Sequence, residues 1–154
     1  MTEVLDPSRV APTPWRNGAG ATRELASGTD ASGRVLWRIS VADLDRDAPF
    51  SAFPGLDRLF VALGPLRLTV DGRQQRLTAG DQARFTGEAP VTVALDTPTR
   101  ALNVMTRRGA CRAEVILRPT AAPRLPADAT ALTVLTVLLD ERAADVRLLK
   151  EPDD

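Results

Sequence analysis

Gly64-Pro65-Leu66-Arg67-Leu68-Thr69-Val70-Asp71-Gly72, followed at a short interval by Leu77-Thr78-Ala79-Gly80-Asp81-Gln82-Ala83-Arg84-Phe85, decides how this chain folds. Leu66 to Val70 alternates apolar and polar side chains, the period-two pattern of a strand with one buried face. Asp71-Gly72 offers two positions that tolerate positive φ, closing a type I′ hairpin with Gln74 to Leu77 as the return strand. Ala79-Gly80-Asp81 makes a second tight turn, and Gln82 to Phe85 leaves it as a further strand.

The alternation spreads outward from this hairpin. Upstream, Val35 to Val41 places Trp37, Ile39 and Val41 on one face and Arg38 and Ser40 on the other, and Arg58 to Leu63 forms a strand that ends at Gly64-Pro65. Downstream, Val91 to Leu95, Ala101 to Arg107, Cys111 to Leu117 and Thr130 to Leu139 continue the pattern. Glu141 to Leu149 suits either a short helix or a last strand, because it follows a β-branched run. Pro119 to Pro126, with three prolines, is expected to be a connector. The expected organisation is one domain over residues 1–154, with its barrel core at about 14–118 and the connector and C-terminal strands at about 119–154. The fold class is all-β. The hairpin followed by a Gly-Asp turn resembles the cupin jelly roll, although an antiparallel meander with Gly-rich turns would also satisfy it.

Composition narrows the function. Twenty basic residues balance 20 acidic ones for a formal net charge of zero. With no basic stripe, nucleic acid and anionic membranes are not expected as partners. The 154 residues contain no histidine and no tyrosine, which removes the commonest metal ligand and the commonest general base. Cys111 is alone, so no intrachain disulfide forms, and it is expected to be a small packed side chain. The Asp43-Leu44-Asp45-Arg46-Asp47 run would suit only Mg²⁺ or Ca²⁺ and reads more simply as a solvated loop. No metal and no cofactor are assigned. Met1-Thr2-Glu3-Val4 lacks the basic and apolar regions of a signal peptide, and the longest apolar run, Ala131 to Leu139, is about half of what a membrane span needs. A soluble, cytoplasmic protein is therefore expected.

The phrase Pro14-Trp15-Arg16-Asn17-Gly18-Ala19-Gly20-Ala21-Thr22-Arg23-Glu24 departs from strand logic. Gly18 and Gly20 free the backbone, so the loop either points amide N–H groups at an anion or plugs one end of the barrel with Trp15. Together with Trp37-Arg38-Ile39-Ser40-x-Ala42, with Pro49-Phe50-Ser51-x-Phe53-Pro54-Gly55-x-Asp57-Arg58 and with Asn103-Val104-Met105-x-Arg107-Arg108-Gly109, it resembles the HutD/Ves family of cupin proteins. The resemblance implies a double-cupin-like β fold, here with a truncated second half. It also implies a link to histidine utilisation through binding, rather than turnover, of a small acidic product such as formylglutamate. Ala19 stands where the family carries a third glycine. Ala101 and Leu102 stand where it carries an Asp, which removes a carboxylate from the implied pocket. The matching phrases end at Gly109.

Strand alternation and this resemblance define the candidate site. Arg38 and Ser40 share a face, Asn103, Met105 and Arg107 repeat the pattern opposite Leu102 and Val104, and Arg58 begins a third strand. If these faces converge, guanidinium forks and an amide surround a carboxylate. In that reading Arg38, Arg58 and Arg107 hold anionic groups, and Asn17, Ser40 and Asn103 orient them. Trp15, Phe50, Phe53 and Met105 form the apolar wall. Gly18, Gly20, Thr22, Glu24 and Ser51 complete the set. Two alternatives stand beside it. One is a metal-independent isomerase or hydrolase using Glu24 as acid or base, against the simpler expectation that Glu24 pairs with a neighbouring arginine. The other is a fully packed interaction module, and fold analogy adds a homodimer formed through sheet edges.

Overall fold

The computed structural model of the chain describes residues 3–122 and 131–151. Its strands, in chain order, are β1 (Glu3–Leu5), β2 (Thr13–Pro14), β3 (Gly20–Thr29), β4 (Val35–Leu44), β5 (Ala48–Pro49), β6 (Leu56–Ala62) and β7 (Leu66–Val70). They continue as β8 (Arg73–Leu77), β9 (Gln82–Thr86), β10 (Val91–Ala94), β11 (Thr99–Arg107), β12 (Cys111–Pro119), β13 (Ala131–Leu139) and β14 (Arg142–Lys150). The only helical turn among the described residues is a 3-10 turn at Pro7–Arg9, capped by the Asp6 carboxylate accepting from the Ser8 amide. The fold is all-β, as expected from the alternation.

Three sheets are stacked in layers. A six-stranded sheet, in the order β2-β3-β4-β11-β6-β9, lies between a four-stranded sheet β5-β10-β7-β8 and a second four-stranded sheet β1-β13-β14-β12. The stacking follows from strand parity. Ile39 and Val41, Leu59 and Val61, and Leu102 and Val104 point from the central sheet into one core, which Val115, Leu135, Val137, Val146 and Leu148 complete. Ala42 and Leu44, Phe60 and Ala62, and Ala101 point the other way, into a second core built with Leu66, Leu68, Leu77 and Val93. The central strands are thus apolar on both faces where they cross the cores, and polar side chains survive only where a core opens.

The hairpin at Leu66 to Leu77 forms as expected, with Leu66 opposite Leu77 and Asp71 at φ 51 and Gly72 at φ 78 in the turn. One expectation needs correction. Gly20 to Glu24, the end of the phrase expected to depart from strand logic, instead opens a ten-residue strand, Gly20–Thr29, paired to β4 with bulges at Leu25 and before Thr29. Its small and polar residues have weak strand preference, and a full-length antiparallel partner imposes the extended state. Of the two options at Glu141 to Leu149, the strand forms, as β14 between β12 and β13. β12, which ends where the expected connector of residues 119–126 begins, pairs with β14 from Cys111↔Lys150 to Pro119↔Arg142. The connector's residues after Ala122, and Thr130, lie outside the described residues. The N-terminal β1 completes the same sheet by pairing in parallel with β13.

Candidate functional site

Where the core between the central sheet and the β5-β10-β7-β8 sheet opens, it leaves a cavity of about 570 Å³, within the range of small-molecule sites. Register builds its floor. Across β3-β4-β11-β6 one row of partners reads Glu24, Ser40, Asn103, Phe60, and the next reads Arg38, Met105, Arg58 on β4, β11 and β6. Arg38 and Arg58 are therefore two strand spacings apart, roughly 10 Å, with Met105 between them.

Arg58 is 7% exposed, and its guanidinium lies 5.1, 5.4 and 5.2 Å from the ring centroids of Phe50, Phe53 and Phe85. One terminal nitrogen donates to Asn103 Oδ1 at 3.2 Å and the other, weakly, to the Ser51 carbonyl at 3.5 Å. Its Nε is buried without a partner. Among the described residues no carboxylate pairs with it, and burial pulls its pKa down to about 10. A guanidinium has only donors, so Asn103 must offer it the carboxamide oxygen, and the Asn103 amide nitrogen is turned away from it. Arg38 is held differently. It donates to Glu24 Oε2 at 3.1 Å in a half-exposed ion pair, which is the pairing expected as the simpler role of Glu24.

Trp15 forms the rim. Its Nε1 donates to Thr22 Oγ1 at 2.8 Å, and its ring meets Phe50 edge-on at 6.2 Å. The loop beneath it is closed on itself: the Gly18 amide donates to Trp15 O, the Ala19 amide to Asn17 Oδ1, and Arg46 to Asn17 O. A Cβ at Gly20 would overlap the Asp43 carbonyl and press on the Trp15 ring. Gly18 takes φ 70, whereas Ala19, buried and outside the positive-φ set, accommodates its methyl. The Gly18 and Ala19 amides are thus satisfied within the loop and do not form an anion cradle.

Of the candidate residues, Trp15, Asn17, Thr22, Glu24, Arg38, Ser40, Phe50, Ser51, Phe53, Arg58, Asn103 and Met105 line this one cavity. Gly18 and Gly20 shape the loop without lining it. Arg107 does not reach the cavity: at the end of β11 it donates to the Val35 carbonyl and lies 3.9 Å from Asp30, at the turn of the β3–β4 hairpin. Parity alone places it with Asn103 and Met105, and the end of the strand releases it toward a nearer acceptor. Sequence reasoning misses Arg16 on the rim and Phe85 against Arg58, although both stand inside the quoted phrases. Within the acidic run, Asp43 is bound by Arg23 and Arg100, and Asp47 accepts from the Leu95 amide. Cys111 is buried in the core with its thiol pushed up to about 11 by burial. No helix among the described residues is long and apolar enough to cross a membrane.

The HutD family profile matches residues 8–152, so the likeness runs well past Gly109. The chain is 35% identical over 118 residues to protein Ves of Cronobacter sakazakii and 32% identical over 118 residues to protein Ves of Citrobacter koseri, covering 73% of this chain in each case. It spans 65% and 62% of the length of those relatives. The fold matches the structure of HutD from Pseudomonas fluorescens SBW25 with a TM-score of 0.80 at 22% identity, over 96% of this chain and 98% of that one. An RmlC-like cupin from Shewanella frigidimarina superposes with a TM-score of 0.53 at 14% identity, over 65% of this chain and 86% of that one.

Proposed function

The chain belongs to the HutD family, and on that premise we propose that it binds a small carboxylate-bearing metabolite in the cavity floored by Arg58, without metal, as an accessory to histidine utilisation. The observation that carries this reading is a buried guanidinium with a free Nε and, among the described residues, no carboxylate partner, facing a cavity rather than a packed core. A buried charge is normally paired, because its desolvation is costly. A planar carboxylate matches the guanidinium fork and would supply the missing charge. Phe50, Phe53 and Phe85 exclude water around that contact and strengthen it. Asn103 and Ser40 on one side and the Arg38–Glu24 pair on the other offer further polar groups to the rest of the ligand, and formylglutamate is the compound to test first.

A thermal-shift screen against formylglutamate, glutamate, urocanate and plain dicarboxylates tests the proposal. A ligand at 100 times its Kd should raise stability by about 2.7 kcal/mol through binding to the native state alone. The shift should shrink with added salt, less steeply than for an exposed site. If no carboxylate moves the melting temperature, while the protein is folded and the ligand in excess, the proposal fails.

A further inference from the structure

Both arginines of the Arg107-Arg108-Gly109 phrase lie outside the cavity, and Arg108 is the one bound to the segment that carries its aromatic wall. Arg108 lies outside the cavity, at the end of β11, where its Nε donates to Asp57 at 2.9 Å and its two terminal nitrogens grip both oxygens of Glu88 at 3.1 and 2.7 Å. One of those nitrogens also donates to the Leu56 carbonyl, and the Arg108 amide donates to the Gly55 carbonyl. Glu88 in turn accepts from the Gly55 amide. Beside it the Gly87 amide donates to Leu56 O, and its carbonyl accepts from the Phe53 amide. Every one of these bonds ties residues 53–57, the segment that joins the Phe50–Phe53 loop to β6, to Arg108 or to the turn at Gly87-Glu88, or ties those two together. That loop supplies two of the three rings around Arg58 and the carbonyl that touches it.

We propose that Arg108 is a positioning residue for the cavity: by clamping residues 53–57 to the β9–β10 turn through Glu88, it holds Phe53 and Ser51 over Arg58. The clamp is an exposed network, with Arg108, Glu88 and Asp57 side chains 43%, 45% and 46% accessible. Exposed pairs of this kind contribute little to global stability. What this one does is local, because a site stays competent only while its supporting contacts keep the first layer in place. A fork that bridges two carboxylates and a carbonyl at once needs guanidinium geometry, which an ammonium lacks. The statement about affinity rests on the carboxylate reading of the cavity, whereas the statement about the loop does not.

The experiment therefore has two readouts. Phenylglyoxal labelling of Arg58, followed by peptide mass spectrometry, reports how well the loop covers the guanidinium and needs no ligand. Calorimetric titration with formylglutamate reports affinity. Arg108→Met, Arg108→Lys and Glu88→Gln are compared with Arg112→Met, which removes a different exposed pair with Glu114. The three clamp variants should label at Arg58 about tenfold faster than the parent protein and bind formylglutamate about tenfold more weakly, as when an outer supporting contact is lost. Their melting temperatures should stay close to that of Arg112→Met. Unchanged Arg58 labelling in Arg108→Met overturns the proposal, as does full protection by Arg108→Lys or a melting temperature far below the control. If labelling responds but the parent protein takes up no formylglutamate, the clamp stands and the choice of ligand falls.

Discussion

An arginine ringed by three phenylalanines, with no carboxylate partner among the described residues, is held charged against its own desolvation. Burial lowers its pKa to about 10, which corresponds to a cost of about 3 kcal/mol at neutral pH. The three ring contacts offset part of it. Arg58→Met should therefore raise the stability of the unliganded protein, by about 1–2 kcal/mol in denaturant melts. A loss instead would mean that the guanidinium chiefly serves to satisfy Asn103 and the Ser51 carbonyl. The folded state binds this proton less tightly than the unfolded chain, so the penalty is present in full below about pH 10 and is relieved as pH rises above it toward the ordinary guanidinium range. Carboxylate binding has the opposite dependence. It should be flat across neutral pH, since the chain has no histidine to titrate, and should weaken above about pH 10 as Arg58 loses its proton. A fluorescence titration across that range checks both limbs. A step near pH 6 to 7 would point to a different recognition group.

Strand parity makes much of the site legible in the amino-acid order alone. Alternation from Trp37 to Val41 sets which face Arg38 and Ser40 occupy, and the same rule brings Asn103 and Met105 beside them. It fails at element ends, where a side chain is no longer confined between neighbours: Arg107 turns to the Val35 carbonyl. It also misses β3, whose sequence carries little intrinsic preference, and so cannot place Glu24 opposite Ser40. Close approaches between elements are equally hidden. A Cβ at Gly87 would overlap the Phe53 and Leu56 carbonyls, and nothing local in the sequence marks that contact. Gly87→Ala should accordingly displace residues 53–56 and expose Arg58 to phenylglyoxal. Gly20→Ala should cost about 1–3 kcal/mol in thermal melts, as overpacking does, and shift the emission of Trp15 in a Trp37→Phe background. Unshifted Trp15 emission would show that the ring does not rest on Gly20.

The molecule as a whole hangs two cores on one central sheet. β4, β11 and β6 contribute alternate residues to each, so neither core can dissolve while the other keeps those strands extended. Leu68→Ala in one core and Val104→Ala in the other should each lower a single cooperative transition, the former by about 2–5 kcal/mol. Two separated transitions in calorimetry would contradict this coupling. The layering itself is only half legible in the sequence. Short alternating runs and their turns announce an all-β chain, but that β12 to β14 lie on the far face of the central sheet, joined by β1 in parallel, depends on contacts between ends of the sequence that no local pattern records. The buried charge of Arg58 meets its cavity at the open end of the core shared with the β5-β10-β7-β8 sheet.

Titration calorimetry of formylglutamate into the parent protein, Arg58→Met and Arg107→Met tests the central claim most directly, since the two arginines were both expected at the site and only one reaches the cavity. The account predicts that Arg58→Met loses about 1.5–3 kcal/mol of binding, the loss expected for a charge-assisted hydrogen bond, while Arg107→Met binds like the parent. Undiminished binding by Arg58→Met, or an equal loss in both variants, would contradict it.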